Sequence, residues 1–573
     1  MEVFSPTDKV KHNFTNSSFI ATSLVLLLIL FIRVTRGLDI TDEMQYYGEI
    51  KGLIETGKLF SNDLFIQQSV YILCYPVFYL YHLIFGFEGL VFFGRLLMAV
   101  LVVAVFLYAY QKFLEFKFSF LVASLTALSL TFAISYNGIF APSYNTISQV
   151  LWIIFTIRFF EWKQSSPVSW GLIPVITAFA HPTSAVMMSL LVLLRLIFER
   201  DFRQVAKVIL ALLGGALVAL PIIFYFATPQ EYLVSLSFSS GYGVGTTFFS
   251  SKSQPTTLIV IYAMFASCLL CRGRSQRVPF ALLASIFIAI AIILFLTGLA
   301  VGGNTTRVLY VLSFLSALAF VWVHSISTAD DTKFTLRNYW LVAGVLAYAT
   351  TLSVTSGNGI RQATGAFMVY LPLLLGLAVS SEANKKVSVN PLLMIVCVVL
   401  LPIIFLAQWS RYPYREAGWW QVSQPIQSVP EFKFISTSLD RLAFIQRMKH
   451  ELEPMVQGKR TLIISEYPGL YFALGTHPET CMLYMHSLTS DKSEEALLNC
   501  LSKKKPEIVI DVLADNDIAK GDSRIKKVLQ SYYFQRGFSC TNETIKFNPI
   551  ANNNPEYLRY SVCMQDAAEK GSI

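Results

Sequence analysis

Charge is scarce in this chain: only 14% of its 573 residues are Asp, Glu, Lys or Arg, while 54% are hydrophobic. A balance of that kind excludes a disordered chain and an ordinary soluble globule, and it points to a polytopic membrane protein. Other features are missing too. There is no Gly-rich nucleotide loop, no Cys/His spacing of a zinc site and no repeat with a period of about 20 to 50 residues. The opening "MEVFSPTDKVKHNFTNSS" lacks the short apolar core and small-residue cleavage site of a secretory signal, so the run after it is expected to be a first membrane helix.

Apolar stretches long enough to cross a bilayer recur from Phe19 to Gln408, and residues 409–573 lose that character. The pattern predicts a membrane domain over 1–408 with about thirteen helical spans, centred near residues 27, 101, 126, 152, 174, 190, 215, 264, 289, 315, 346, 371 and 400. A soluble α/β domain is expected over 409–573, with strands in "RTLIIS" and "EIVIDVL" and helices over 437–452, 494–502 and 523–535.

One stretch, "QQSVYILCYPVFYLYHLIFG" (67–86), is apolar enough to span but holds four tyrosines, a histidine and a proline. If it lies in the interface, Lys and Arg divide 17 to 8 between the two sides of the membrane domain, and the richer side is cytoplasmic by the positive-inside rule. The net charge of +9 is then mostly an insertion signal. No nucleic-acid surface is implied.

Six carboxylates, Asp39, Asp42, Glu43, Glu49, Glu55 and Asp63, fall within 25 positions at the start of the first outer loop, residues 37–90. Asp42 and Glu43 open a predicted helix whose apolar positions are Tyr46, Tyr47, Ile50, Leu53 and Ile54, with Gln45, Glu49, Lys51 and Glu55 facing away and Gly57 ending it. The plain account is that the acids favour the helix dipole and that Thr41 or Asp39 caps it. The functional account is a general base at the bilayer edge.

Further polar groups are expected at the same level. "VGGNTTRVLY" places Asn304 before Arg307, and "TSGNGIRQAT" places Asn358 before Arg361, each at the outer start of a span where an Arg fork suits a phosphate. Tyr144 and Asn145 open the fourth span, and His181 and Pro182 break the next pair. The Gly/Ser-rich stretch 237–253 reads as an outer loop able to close on substrate or to serve as a plain connection. Cys481, Cys500, Cys540 and Cys563 lie in the tail, where pairing is expected but its connectivity is open.

This order resembles the GT-C membrane glycosyltransferases, in the branch of protein O-mannosyltransferases and aminoarabinose transferases: an apolar helix, an Asp-Glu loop helix, a second interfacial helix, "GFEGLVFFGRLL", a Tyr-Asn start, an "HPT" break and a soluble tail. The resemblance implies an inverting enzyme that moves a sugar from a polyprenyl phosphate or pyrophosphate carrier to a hydroxyl of a glycan, lipid or protein acceptor. Asp42 matches the family's catalytic Asp and Glu43 its neighbour. Arg307 and Arg361 would hold the donor phosphate, and Asp39, Tyr46, Tyr144, Asn145, His181, Asn304 and Asn358 would line the substrate. A bacterial inner membrane with the site facing outward is implied. Gln67 and Gln68 stand where aminoarabinose transferases show a Glu-Lys-Pro-Pro stretch, and Asn145 where relatives often carry Asp. No cofactor is expected, and a divalent cation is left open, since three local carboxylates are not by themselves a ligand set. A lipid or polysaccharide transporter and a surface-polysaccharide polymerase or ligase are the rival readings.

Overall fold

The computed structural model describes residues 6–243 apart from 117, 135–137 and 162–165, scattered helical residues between 340 and 373, and residues 416–565 apart from 484–490, 515–537 and 547–556. The N-terminal part is helical: α1 (Pro6–Thr35), α2 (Asp42–Thr56), a 3-10 turn (Ile66–Val70), α3 (Tyr71–Phe85), α4 (Leu90–Glu115), α5 (Phe120–Ala133), α6 (Tyr144–Phe160), α7 (Pro167–Ala180), α8 (Pro182–Phe198), α9 (Phe202–Phe226) and α10 (Pro229–Gly243). The expected span centres at 27, 101, 126, 152, 174, 190 and 215 fall inside α1 and α4 to α9. Those at 264, 289, 315, 346, 371 and 400 lie outside the described residues.

By length and composition, Ser17–Thr35, Ile66–Phe85, Leu90–Glu115 and Phe202–Phe226 can cross a membrane, and shorter apolar helices accompany them. The chain is thus a helical protein of membrane type. The helix ends explain why the second of these four need not cross. Arg36, just after α1, pairs with Ser436 of the tail. The Phe179 carbonyl at the end of α7 accepts from Ser69 at 2.7 Å, the Phe226 carbonyl at the end of α9 accepts from Leu59 N at 2.9 Å, and Gly89 N, before α4, donates to the Pro430 carbonyl at 2.9 Å. All these ends gather on one face, and both ends of α3 are among them. The stretch is thus tied at both ends to residues of that group, although its length and hydropathy would also let it span a membrane.

The same face carries the tail. Its sheet has the order β4-β3-β5-β7-β6, built from β3 (Arg460–Ile464), β4 (His477–Pro478), β5 (Ile508–Ala514), β6 (Phe538–Lys546) and β7 (Tyr557–Gln565). The β3 strand runs parallel to β4 and β5, whereas β5, β7 and β6 are antiparallel. A two-stranded ladder of β1 (Gln424–Pro425) and β2 (Ser436–Thr437) precedes it. Helices α11 (Leu439–Val456), α12 (Gly469–Ala473) and α13 (Asp491–Leu501) pack around these strands. The expected helices at 437–452 and 494–502 correspond to α11 and α13, and 523–535 lies outside the described residues.

One apolar core joins loop and tail: Leu38, Ile40, Tyr47, Ile50 and Leu53 are buried with Phe432, Phe444, Leu470 and Leu483. Close approach is needed where Gly469 N donates to the Ile40 carbonyl at 2.9 Å, because a Cβ on Gly469 would meet Ile40 at the same distance. Two expectations change here. Glu49 does not face away: it packs with Gln45, Asp63 and Tyr71 and is only 5% exposed. Residues 237–243 belong to α10 rather than to a loop, and 244–253 lie outside the described residues.

Candidate functional site

Helix α2 sorts the carboxylates of the first loop into separate tasks. Asp39 stands before the helix, and its carboxylate accepts from Thr41 N at 3.0 Å and Glu43 N at 2.9 Å, as well as from the Thr41 hydroxyl. It is buried and caps the helix, which satisfies N–H groups that the first turn leaves without intrahelical partners. The capping account holds for Asp39, and Thr41 makes no side-chain cap bond.

Glu43 is engaged at both carboxylate oxygens. Arg95 grips it with two parallel bonds, Nε to Oε1 at 2.7 Å and Nη2 to Oε2 at 2.6 Å, and both side chains are buried. Helix α4 can bring Arg95 this close because Gly94 leaves room for the Tyr47 ring, whose hydroxyl donates to the Val91 carbonyl at 3.1 Å. Glu43, expected beside Asp42 as part of the catalytic pair, is thus held in a buried ion pair with Arg95. Arg33, Arg36, Asp39, Glu43, Arg95, Glu416 and Trp419 line a small, partly open cleft beside that pair. Arg33 donates to the Gly138 carbonyl at 2.9 Å and lies over the Phe140 ring. Burial would raise Glu416, but Arg441, the Thr437 hydroxyl and the N–H groups of Ala417 and Leu38 hold it below its ordinary value. The cleft is charge-balanced by its own carboxylates.

Asp42 occupies a different position. It is half-buried, whereas Asp39, Glu43, Glu49 and Asp63 are buried and Glu55 is exposed. Tyr144 lies within electrostatic reach of Asp42; its ring packs edge-on to Tyr46 at 6.1 Å, and Asn145 Nδ2 donates to the Tyr46 hydroxyl at 3.5 Å. His181 is 6.4 Å from Tyr144, ring to ring. Its Nδ1 accepts from Ser184 N at 3.2 Å to cap α8, and burial pushes the imidazole down to about 4, so it is neutral. His181 serves as a helix cap that also walls the site.

The sequence reading did not anticipate a second carboxylate pair. Asp63 is fully buried, accepts from Phe65 N at 3.1 Å and Leu483 N at 3.0 Å, and shares Gln45 with Glu49 at 3.4 and 3.0 Å respectively. Among the described residues no Lys, Arg or His pairs with either acid. Burial and the neighbouring Asp63 charge push Glu49 well above the usual carboxylate range, against the Tyr71 and Gln45 hydrogen bonds. Burial raises Asp63 to about 7, opposed by the N–H groups of Phe65, Leu483 and Leu64. Nothing local in the sequence signals this pair, since Glu49 fits the polar face of an amphipathic helix and Asp63 lies in the loop that follows it.

Arg307, Arg361, Asn304 and Asn358 lie outside the described residues. Among the described residues no group of three or more His, Cys, Asp or Glu is placed to hold a metal ion. In the tail, Cys481 and Cys500 form a disulfide, Cys563 is disulfide-bonded, and the strand register sets Cys540 opposite Cys563. Compared with models of known protein families, with curated proteins and with solved structures, the chain matches none.

Proposed function

We propose that the chain is an inverting glycosyltransferase of the GT-C kind, which moves a sugar from a polyprenyl-phosphate or pyrophosphate carrier to an acceptor hydroxyl at the outer membrane face. In this reading residues 1–408 form about thirteen spans, and 409–573 form an extracytoplasmic α/β domain over the site. The observation that carries it is the singular state of Asp42. Among the six acids from Asp39 to Asp63 it alone is neither sealed in the core nor fully exposed; Tyr144 lies within its electrostatic reach, and Tyr46 and Asn145 stand beside Tyr144.

The chemistry follows from that position. A half-buried carboxylate that solvent still reaches can take the proton of an acceptor hydroxyl as it attacks the anomeric carbon from the face opposite the leaving phosphate. Asn145 and the Tyr46 hydroxyl offer hydrogen bonds to substrate hydroxyls, and Glu43–Arg95 fixes the helix that carries Asp42. Arg307 and Arg361 are assigned to the charge that develops on the phosphate, and Asn304 and Asn358 to the sugar. Carrier lipids present their phosphate at headgroup depth, which is where this helix lies in the proposed topology.

The test is sugar transfer from a polyprenyl-phosphate donor to an acceptor fraction, comparing wild type with Asp42→Asn. Turnover is expected to fall by roughly 100-fold or more with little change in thermal stability, the scale of general-base loss. Near-normal transfer by Asp42→Asn would overturn the mechanism.

A further inference from the structure

Two exposed aromatic residues of the tail stand where the apolar flanks of the helix bundle end. On α4 the outward residues Leu96, Val100 and Leu107 are 43, 61 and 47% exposed, and four residues before Leu96 the same stripe begins with Phe92. Phe434 packs on Phe92 with ring centroids 5.4 Å apart, and its own ring remains 59% exposed. It reaches that place with a left-handed backbone, φ +72°, which a residue with a bulky side chain rarely adopts, and Gly89 leaves the space for it.

The second aromatic ends the other flank. On α1, Leu24, Leu28 and Phe31 are 61, 62 and 68% exposed along one stripe that runs toward Arg36. Arg36 donates to the Trp419 carbonyl at 3.0 Å, and the next residue, Trp420, is 62% exposed although Trp419 is buried. Single exposed aromatics are common on soluble surfaces and need no account. Here each ring adjoins the end of an exposed apolar stripe, Phe434 on Phe92 itself and Trp420 next to Trp419, whose carbonyl holds Arg36, and each lies beside a cation, Arg36 or Lys433.

We infer that Trp420 and Phe434 form a membrane-interface anchor of the tail, seated at the boundary between phospholipid headgroups and acyl chains. Trp and other aromatic rings favour that depth, and flanking Lys or Arg can reach the phosphates. The anchor fixes the height of the β1–β2 ladder, whose Ser436 carbonyl accepts from Gly37 N at 2.8 Å just before α2. This inference does not depend on the reaction proposed above.

The experiment uses the full chain in phospholipid nanodiscs. Trp420, Phe434 and, as an exposed control on the sheet, His477 are each replaced by p-benzoylphenylalanine, irradiated and analysed by mass spectrometry for phospholipid adducts. Adduct yields at 420 and 434 several-fold above that at 477 are expected. In a second arm that needs no substitution, wild-type protein is irradiated with a diazirine-bearing phospholipid, and the peptides holding Trp420 and Phe434 should carry the label. Yields equal to the control, no label on those peptides, or crosslinks to protein alone would overturn the anchor.

Discussion

Arg95 and Glu43 are joined by two parallel hydrogen bonds of 2.7 and 2.6 Å in a place that solvent hardly reaches. The pair clamps the start of α2 to the first turns of α4, one residue from Asp42. Removing one member of a buried pair strands the other charge, which costs about 3 to 5 kcal/mol. Glu43→Gln and Arg95→Met should therefore lower the unfolding temperature sharply and reduce the yield of folded protein, as read by thermal unfolding in detergent. Asp42→Asn should do neither. Equal stability of Glu43→Gln and wild type would show that the clamp does not hold the loop.

Gly94 offers an independent check on that junction. A Cβ at this position would sit 2.5 Å from the Tyr47 ring. Gly94→Ala is expected to cost about 1 to 3 kcal/mol by overpacking, although alanine is the better helix former. Pairing it with Tyr47→Leu, which vacates the ring, should recover part of the loss in the same assay. A neutral Gly94→Ala would mean that α2 does not dock on α4 as closely as described.

Glu49 and Asp63 set a pH dependence whose sign is fixed by the direction of their shifts. Both acids hold their protons more tightly folded than unfolded, so the folded chain binds more protons between the ordinary carboxylate range and about 7, the value of Asp63. Their contribution is complete below the unfolded values near 4; Asp63's part is lost as pH rises through about 7, and Glu49's part is lost above the ordinary carboxylate range. Glu49→Gln removes one of the two charges, and its stability should fall less than that of wild type between pH 5 and pH 8. Parallel stability curves for the two proteins would sink the claim.

The Cys481–Cys500 disulfide closes a loop across 19 positions and ends two residues from Leu483, whose N–H bonds Asp63. A loop of this length contributes about 3 kcal/mol in the chain-entropy model. Peptide mapping without reductant should recover the 481–500 link, and replacing both cysteines by serine should lower thermal stability accordingly. A free thiol at either position in the native protein would refute the pairing.

Much of the helical layout was legible in the sequence because bilayer-length apolar runs and short charged loops announce themselves locally. The helix from Asp42, its end at Gly57 and the strands at 460–464 and 508–514 followed from periodicity and turn chemistry in the same way. Partner choice could not be read off. Nothing near Glu43 in sequence names Arg95, 52 positions away, and the Leu483 N–H that bonds Asp63 comes from 420 positions further on. Seen alone, α2 is an amphipathic surface helix with its acids outward, and a sequence pattern reports only that local preference.

By itself, then, the sequence determined a greasy helical chain, an acidic loop after its first helix, and a less apolar tail, because hydropathy, charge placement and helix periodicity are properties of neighbouring residues. The tertiary structure decided which acid does what. It sealed Glu43 with Arg95, used Asp39 as a cap, buried Glu49 with Asp63 beneath Leu483, and left Asp42 half-open within electrostatic reach of Tyr144. The physical reason is that a carboxylate's chemistry is set by desolvation and by its nearest charges and N–H groups, and those are supplied by segments that only the folded chain brings together.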